Sequence, residues 1–333
     1  MPLSIHGTNG ITFNDGSTQN TRPAVGFKNR IINGDMRIDQ RNTGASQSIT
    51  AASPSYSVDR FIVRPVGGTV TGQRVAGTGS TQYVYQITGG ASVTQLQFEQ
   101  RIEASNSYDL AGSSATLSVN LSNSLLTTAS WILYYANSTD NFASNTLISS
   151  GNWTISSTIA RYNATISIPA AATTGLYLII FVGAQTSGTF TIGNVQLEAG
   201  STATDFERRP YGTELALCQR YYQARNSGGG YDCGCTGQAY STSAVYGPIS
   251  LLMEMRSAPT ITLAQVGNGA GQISFMNSSL SHPSTIGSIG VISISVNGFE
   301  IQGTGYTSGF TAGNASLLYR NGSGVVWRAS AEL

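Results

Sequence analysis

Apolar and polar residues alternate in short runs along most of this 333-residue chain. Phe61–Arg64, Tyr83–Ile87, Leu96–Ile102, Ala115–Leu121, Trp131–Tyr135 and Ala164–Ile168 each repeat at the two-residue period of a β-strand with one buried face. Gly175–Val182 is apolar throughout, which predicts a central strand covered on both sides. Within residues 27–210 this spacing predicts a β-sandwich, with a jelly roll as the leading topology. No stretch keeps a helical period long enough for an α/β core. One short segment breaks the pattern. In residues 211–226, Leu215, Cys218 and Tyr222 recur at three- and four-residue steps behind a capping Thr213 and a first-turn Glu214, predicting a linking helix that ends before Gly228–Gly230.

Residues 227–333 return to strand-like runs at Ala244–Tyr246, Pro248–Met255, Thr260–Leu263, Gly290–Val296, Phe299–Ile301 and Gly324–Ala329. They predict a second, glycine-rich β domain with a modest core, to which oligomerisation would add buried apolar surface. At the other end, residues 1–26 alternate around Ile11 and Phe13 and carry the turn signal Asn14-Asp15-Gly16-Ser17. Two strands this short are not stable alone, so the segment needs sister chains or a docking protein.

Composition narrows the functional classes. Charged residues make up 10% of the chain, the net charge is +1, and Lys28 is the sole lysine, so no basic stripe exists to neutralise phosphates and nucleic-acid binding is not expected. With 16 Tyr, 11 Phe and 3 Trp the chain does not read as disordered. The polar complement is instead hydroxyl- and amide-rich, as in extracellular lectins, capsids and fibres. The longest apolar run, Leu176–Val182, is far short of the ~20 residues that span a bilayer. No secretory leader is visible, which fits assembly inside a cell with release by lysis, and fits a cytosolic protein equally. Cys218, Cys233 and Cys235 do not make a disulfide framework or a zinc signature. Buried or free thiols are expected, with a bridge from Cys218 to Cys233 or Cys235 as the alternative.

Catalytic chemistry has few carriers. His6 and His282 are the only histidines, and neither sits in a recognisable nucleophile setting. Asp35, Asp39 and Asp59 are the best carboxylate cluster for a glycosidase, although turn hydrogen bonding and ion pairing account for them more simply. For sugar recognition the chain offers aromatic faces. Trp131, Tyr134, Tyr135 and Trp153 are the candidates in the first β domain, and at least one set of them belongs to the core. In the second, Tyr231, Asp232, Tyr240, Tyr246, Tyr306 and Phe310 lie among Gly, Ser and Thr, with Gly228–Asp232 and Tyr306–Phe310 as candidate tip loops.

Three landmarks resemble bacteriophage tail fibres. Asn29–Arg41 with Tyr56–Phe61 is similar to the opening of a fibre module related to jelly-roll carbohydrate-binding modules, and Ile192–Pro210 to its closing strand. Glu214–Tyr222, Met255–Thr260 and Trp327–Leu333 resemble the distal domain of the same fibres, and Gly10–Gln19 resembles the short segments that precede them. The resemblance implies a homotrimeric virion protein, made in the host cytoplasm, docked by residues 1–26 (Ile11 and Phe13 foremost) on a tail or baseplate protein. It would bind a host-surface polysaccharide or lipopolysaccharide without cleaving it, with no cofactor and no membrane insertion. A structural calcium would fall on Asp35, Asn194 and Glu198. A tail adaptor that binds only virion proteins, and a polysaccharide depolymerase, are the rival readings.

Overall fold

The computed structural model describes residues 27–79, 81–227, 231–267, 272–279, 288–306 and 309–333, with backbone alone for 227 and 231–233 and for three short strands near the amino terminus. Those three, β1 (Ser4–His6), β2 (Gly10–Thr12) and β3 (Thr18–Gln19), form one antiparallel sheet, one strand more than the alternation predicts. Phe13 and His282, and the side chains of His6, Ile11, Tyr231, Asp232 and Cys233, lie outside the described residues.

The next strands are β4 (Gln47–Thr50), β5 (Ser55–Tyr56), β6 (Ile62–Val66), β7 (Thr69–Ala76), β8 (Tyr83–Thr88), β9 (Gln95–Ile102), β10 (Ser114–Asn123), β11 (Thr128–Ser138), β12 (Asn141–Thr154), β13 (Ala160–Ser167), β14 (Leu176–Val182) and β15 (Thr189–Ala199). They make two antiparallel six-stranded sheets, ordered β13-β10-β15-β8-β7-β4 and β12-β11-β14-β9-β6-β5. Inward-facing residues such as Leu117, Val119, Leu133, Leu178, Ile180, Phe98 and Phe190 fill one continuous core, giving the jelly-roll sandwich the alternation predicts. β14 does lie at the centre of its sheet, but it is not covered on both sides. Leu176, Leu178, Ile180 and Val182 are buried, whereas Tyr177, Ile179 and Phe181 are half-exposed.

The opening and closing motifs meet and tie the sandwich shut. Arg30 N donates to Leu197 O (2.8 Å) and Val195 N to Gly34 O (2.9 Å). Asn29 Oδ1 accepts from the amides of Ile31 and Leu197, and its Nδ2 donates to Val195 O. Asn33 is fully buried and bridges Ile38 and Asp59 through both ends of its amide. Gly34 is obligatory here, since a Cβ would sit 2.1 Å from Val195 O.

Helix α1 (Tyr211–Gln219) is shorter than the sequence pattern predicts. Pro210, not Thr213, stands at its N-cap. Glu214 instead turns inward, accepting from Asn33 N and pairing with Arg209 at 3.2 Å. Tyr222 begins a strand because the Tyr221–Tyr222 pair is drawn into a sheet beside Ser330 and Ala331. That sheet, β16-β24-β19, joins β16 (Tyr222–Ser227), β24 (Gly324–Ser330) and β19 (Thr260–Leu263). A six-stranded sheet holds β17 (Tyr231–Ala239), β18 (Ala244–Ser250), β20 (Ile273–Met276), β21 (Ser288–Ile292), β22 (Gly298–Thr304) and β23 (Ala315–Asn321), ordered β20-β23-β17-β18-β22-β21. Strand structure stops at Ser250 rather than Met255, and β21 stops at Ile292 rather than Val296. These sheets pack around their own core, which includes Phe275, Phe299, Ile301, Leu318 and Trp327.

Between the two cores runs a seam of charge. Arg60 is 2% exposed, forms an ion pair with Glu332, donates to Arg101 O (2.7 Å) and lies 3.5 Å from the Tyr221 ring centroid. Arg41 pairs with the other Glu332 oxygen at 2.7 Å and stacks between Tyr222 and Tyr56. Glu103, also buried, binds Arg256 at 3.0 Å and Arg220 at 3.3 Å. Cys218 is a fully buried free thiol beneath this seam, and burial pushes its pKa well up.

Two predictions follow from the seam and its neighbour. Glu332→Ala leaves Arg60 and Arg41 uncompensated and should cost about 3–5 kcal/mol in denaturant unfolding, with faster labelling of Cys218 by a thiol reagent. Burial pushes Asp59 up from 3.8 to about 6. An acid whose pKa is raised by folding stabilises the native state below its unfolded pKa and loses that contribution as pH rises through the folded one. Relative to Asp59→Asn, the natural chain should therefore lose stability between about pH 4 and pH 6 and show a constant difference above, as read from paired melting curves.

Candidate functional site

The half-exposed side of β14 does not stand alone. The strand register sets Leu147, Tyr134, Tyr177 and Arg101 side by side across β12, β11, β14 and β9. Ile132, Ile179 and Glu99 form the next row, and Ser130, Phe181, Gln97 and Arg64 the one after. Tyr134 reaches this face by the regular alternation of β11 with Ser130 and Ile132, while a register shift on β12, where Ile148 is left without a partner on β11, sets Leu147 beside it. The result is a contiguous outward strip of aromatic and aliphatic side chains, half-buried by one another, with Leu147 54% exposed. Apolar strips with polar rims on a soluble protein's surface mark contact sites.

Its polar groups are fixed from below. Glu99 is fully buried although its strand position faces outward. Arg64 pairs with it at 2.7 Å and the Tyr177 hydroxyl donates to its other oxygen. The Tyr177 pKa is pushed up by burial and then by the Glu99 charge. Arg101 lies 5.3 Å from the Tyr177 ring and 5.8 Å from Phe142, which packs edge-on against Tyr177. Tyr134 and Tyr177 are 6.2 Å apart and tilted by 33°. Glu99 is thus the anchor that orients Tyr177 and Arg64, while the aromatic faces, Arg64 and the Gln97–Gln95 amide pair meet solvent.

The opposite sheet presents different chemistry. Its outward positions are Ser118, Asn120, Arg161, Asn163, Thr191, Gln196 and Glu198, hydroxyl- and amide-rich, and the segment 201–207 lies along them through Thr204.

Four sequence candidates turn inward instead. Trp131 and Trp153 are 5% and 8% exposed, 6.2 Å apart in the sandwich core. Gly151 stands opposite Trp131 and makes room for it, since a Cβ there would be 2.9 Å from the indole. Tyr306 and Phe310 are 2% and 5% exposed and pack edge to face at 4.9 Å inside the C-terminal core. Gly303 opens the space that Tyr306 fills. None of these four rings has a free face for stacking. Tyr135 also packs against the sandwich core. Tyr240 is the exception at 76% exposed, supported edge-on by Tyr246, whose hydroxyl accepts from Gln302.

Comparison with known proteins gives fold-level likeness only. No family model and no curated protein matches the chain. A family 4 carbohydrate-binding module is similar at 16% identity and a TM-score of 0.34, covering 50% of this chain and 98% of that one. A xylan-binding family 22 domain from Paenibacillus barcinonensis follows at 14% and 0.31, covering 46% and 99%. The enzymatically active domain of a tailspike protein from bacteriophage CBA120 gives 14% and 0.33, covering 52% of this chain and 21% of that one. At such distances the site must be read from this chain's own residues.

The carboxylate candidates are structural. Asp39 accepts from the amides of Asn42 and Gly44, Asp59 from Gln40 twice, and Asp35 pairs with Arg37 at 3.2 Å. Nor do Asp35, Asn194 and Glu198 form a calcium set. Asn194 and Glu198 lie four residues apart on β15, about 13 Å along an extended strand, whereas calcium ligands must converge to within about 2.6 Å of one ion. Glu198 already accepts from Gln196 and twice from Thr204. Among the described residues no group of three or more His, Cys, Asp or Glu could hold a metal. Among the described residues no helix is long and apolar enough to cross a membrane.

Tyr177→Phe removes the hydroxyl donor from buried Glu99 while leaving the ring in place. A stability loss of about 1–2 kcal/mol is expected, measurable by denaturant titration against the natural chain.

Proposed function

We propose that this chain is a non-catalytic glycan-binding protein of a bacteriophage tail fibre, working as a homotrimer with residues 1–26 docked on the tail or baseplate. The observation that carries the glycan reading is the outward face of β11, β14 and β9. Tyr134 and Tyr177 offer adjacent aromatic surfaces to the C–H faces of pyranose rings, and Arg64 and Gln97 offer donors to the hydroxyls around them. Support for the fibre reading is the order of the landmarks along the sequence. The closing of residues 29–34 onto 195–197 gives those landmarks a structural reason to occur together. Tyr240 is a second contact point, on the C-terminal sheets.

The anchoring role of Glu99 supports the reading of binding without cleavage. A glycosidase needs two carboxylates facing one bond, roughly 5–10 Å apart, and on this face Glu99 is buried beneath Tyr177 and Arg64. The test is adsorption of the full chain to host cells and to purified surface polysaccharide and lipopolysaccharide, with reducing ends measured alongside and mass determined by sedimentation. Tyr134→Ala should weaken adsorption about five- to tenfold, no reducing ends should appear, and the mass should be three times that of the chain. Unchanged adsorption by Tyr134→Ala would overturn the assignment of this face. Released sugar would overturn the non-catalytic reading, and a monomeric mass the trimer.

A further inference from the structure

The three-stranded sheet β16-β24-β19 packs Trp327, Ala329 and Ile261 against the C-terminal core. Its other side carries Tyr222, Ser330 and Thr260 in one row and Ala224, Arg328 and Thr262 in the next. Two open depressions of about 350 and 330 Å³ lie here, and Arg328 borders both. The first runs to Arg41, Gln47, Ser55 and Tyr56 of the sandwich, the second to Gln265 and Arg320. Each is within the roughly 300–1,000 Å³ of small-molecule sites. We propose that the two form one groove for an acidic polysaccharide, with Arg328 binding a uronate carboxylate and the neutral polar lining binding the sugar hydroxyls. The groove is separate from the β11-β14-β9 face and does not depend on it.

Arg328 carries the inference. It is exposed, and among the described residues it forms no ion pair. Burial raises the Tyr222 pKa, and the charges of Arg41 and then Arg328 oppose that rise, so both guanidinium groups act at one hydroxyl. Among the described residues no Asp or Glu borders either depression. The anionic acceptors behind the first are already engaged. Glu332 is shared by Arg41 and Arg60, and the Leu333 oxygen accepts from Tyr56 and Arg101. Asp39 and Asp59 accept from Asn42, Gly44 and Gln40. At the far end Arg320 donates to the carbonyls of Ser323 and Val325, with Asp232 opposite it in the β17 register. The uncompensated positive charge is therefore centred on Arg328.

The rest of the groove selects among anions. A guanidinium takes a carboxylate through two parallel N–H···O bonds. Ser330, Thr262 and Gln265 lie beside that position with groups that both donate and accept, which ring hydroxyls would use and inorganic phosphate would not. A nucleic acid needs a longer run of cations and free aromatic faces for its bases. Here Arg41 fills the space between the Tyr222 and Tyr56 rings, 3.5 and 4.6 Å from their centroids. A neutral glycan would leave the Arg328 charge without a partner.

The experiment titrates the full chain by calorimetry with hexasaccharides of polygalacturonate, alginate and hyaluronan, each beside its carboxyl-reduced, neutral counterpart. At least one acidic hexasaccharide should bind saturably, about tenfold or more tightly than its neutral form. Arg328→Gln, an exposed substitution whose folding is checked by its melting curve, should weaken that binding about tenfold, and Tyr134→Ala should leave it unchanged. No saturable binding by any of the three would overturn the proposal. So would equal binding of the neutral form, or an unchanged affinity in Arg328→Gln. Loss in Tyr134→Ala alone would assign the acidic sugar to the aromatic face and overturn the groove. Displacement by equimolar inorganic phosphate would make Arg328 a simple anion site, and equally tight binding of a deoxythymidine dodecamer would make the groove a general polyanion surface; either overturns the proposal.

Discussion

Arg60 holds a charge where almost no water reaches it, and the joint between the two cores is built around that fact. A guanidinium so placed needs a carboxylate, further acceptors and a polarisable surface, because desolvation of an isolated ion costs several kcal/mol. Glu332, the Arg101 carbonyl and the Tyr221 ring supply them from three separate parts of the chain. Each is useful only if the others are in place, so the sandwich, the end of helix α1 and the last strand are held in one arrangement. Arg41 shares the same carboxylate and extends the clasp to Tyr56 and Tyr222. The outward face of β14 is positioned by this joint, because Arg101 joins the seam on one side and Tyr177 on the other.

Much of the sandwich was legible because burial of one sheet face writes a two-residue period into the sequence. Where the period is clean, as in Ala115–Leu121 and Leu96–Ile102, the strands appear as read. It failed where burial is weak: β12, a long edge strand rich in Ser and Asn, has no apolar rhythm to detect. The helix was overextended because Tyr222 fits a helical step as well as a strand, and only pairing with Ser330 decides between them.

The binding face shows the same limit from the other side. An unbroken apolar run means either a strand buried twice or a strand with an exposed apolar face, and residue types alone do not separate the two. The run therefore places Tyr177, Ile179 and Phe181 in the core by pattern alone, and Trp131 and Trp153, which are core, pass by residue type for binding platforms. Gly151 and Gly303 were the available clues. A glycine opposite or near a large ring provides the cavity into which that ring turns. The left-handed backbone and unpartnered oxygen of Asn194 are properties of the folded bulge that its residue type does not reveal.

The economy of charge has a further consequence. The chain carries few ionisable groups and a net charge of +1, and several of its carboxylates are enclosed by their own arginines. What remains outside has little far-reaching field. Copies brought shoulder to shoulder would not repel one another over the ~8–10 Å of a physiological screening length. Dilution into fresh water or transfer to brine would change that little, so such a surface tolerates dense crowding across a wide range of salinity.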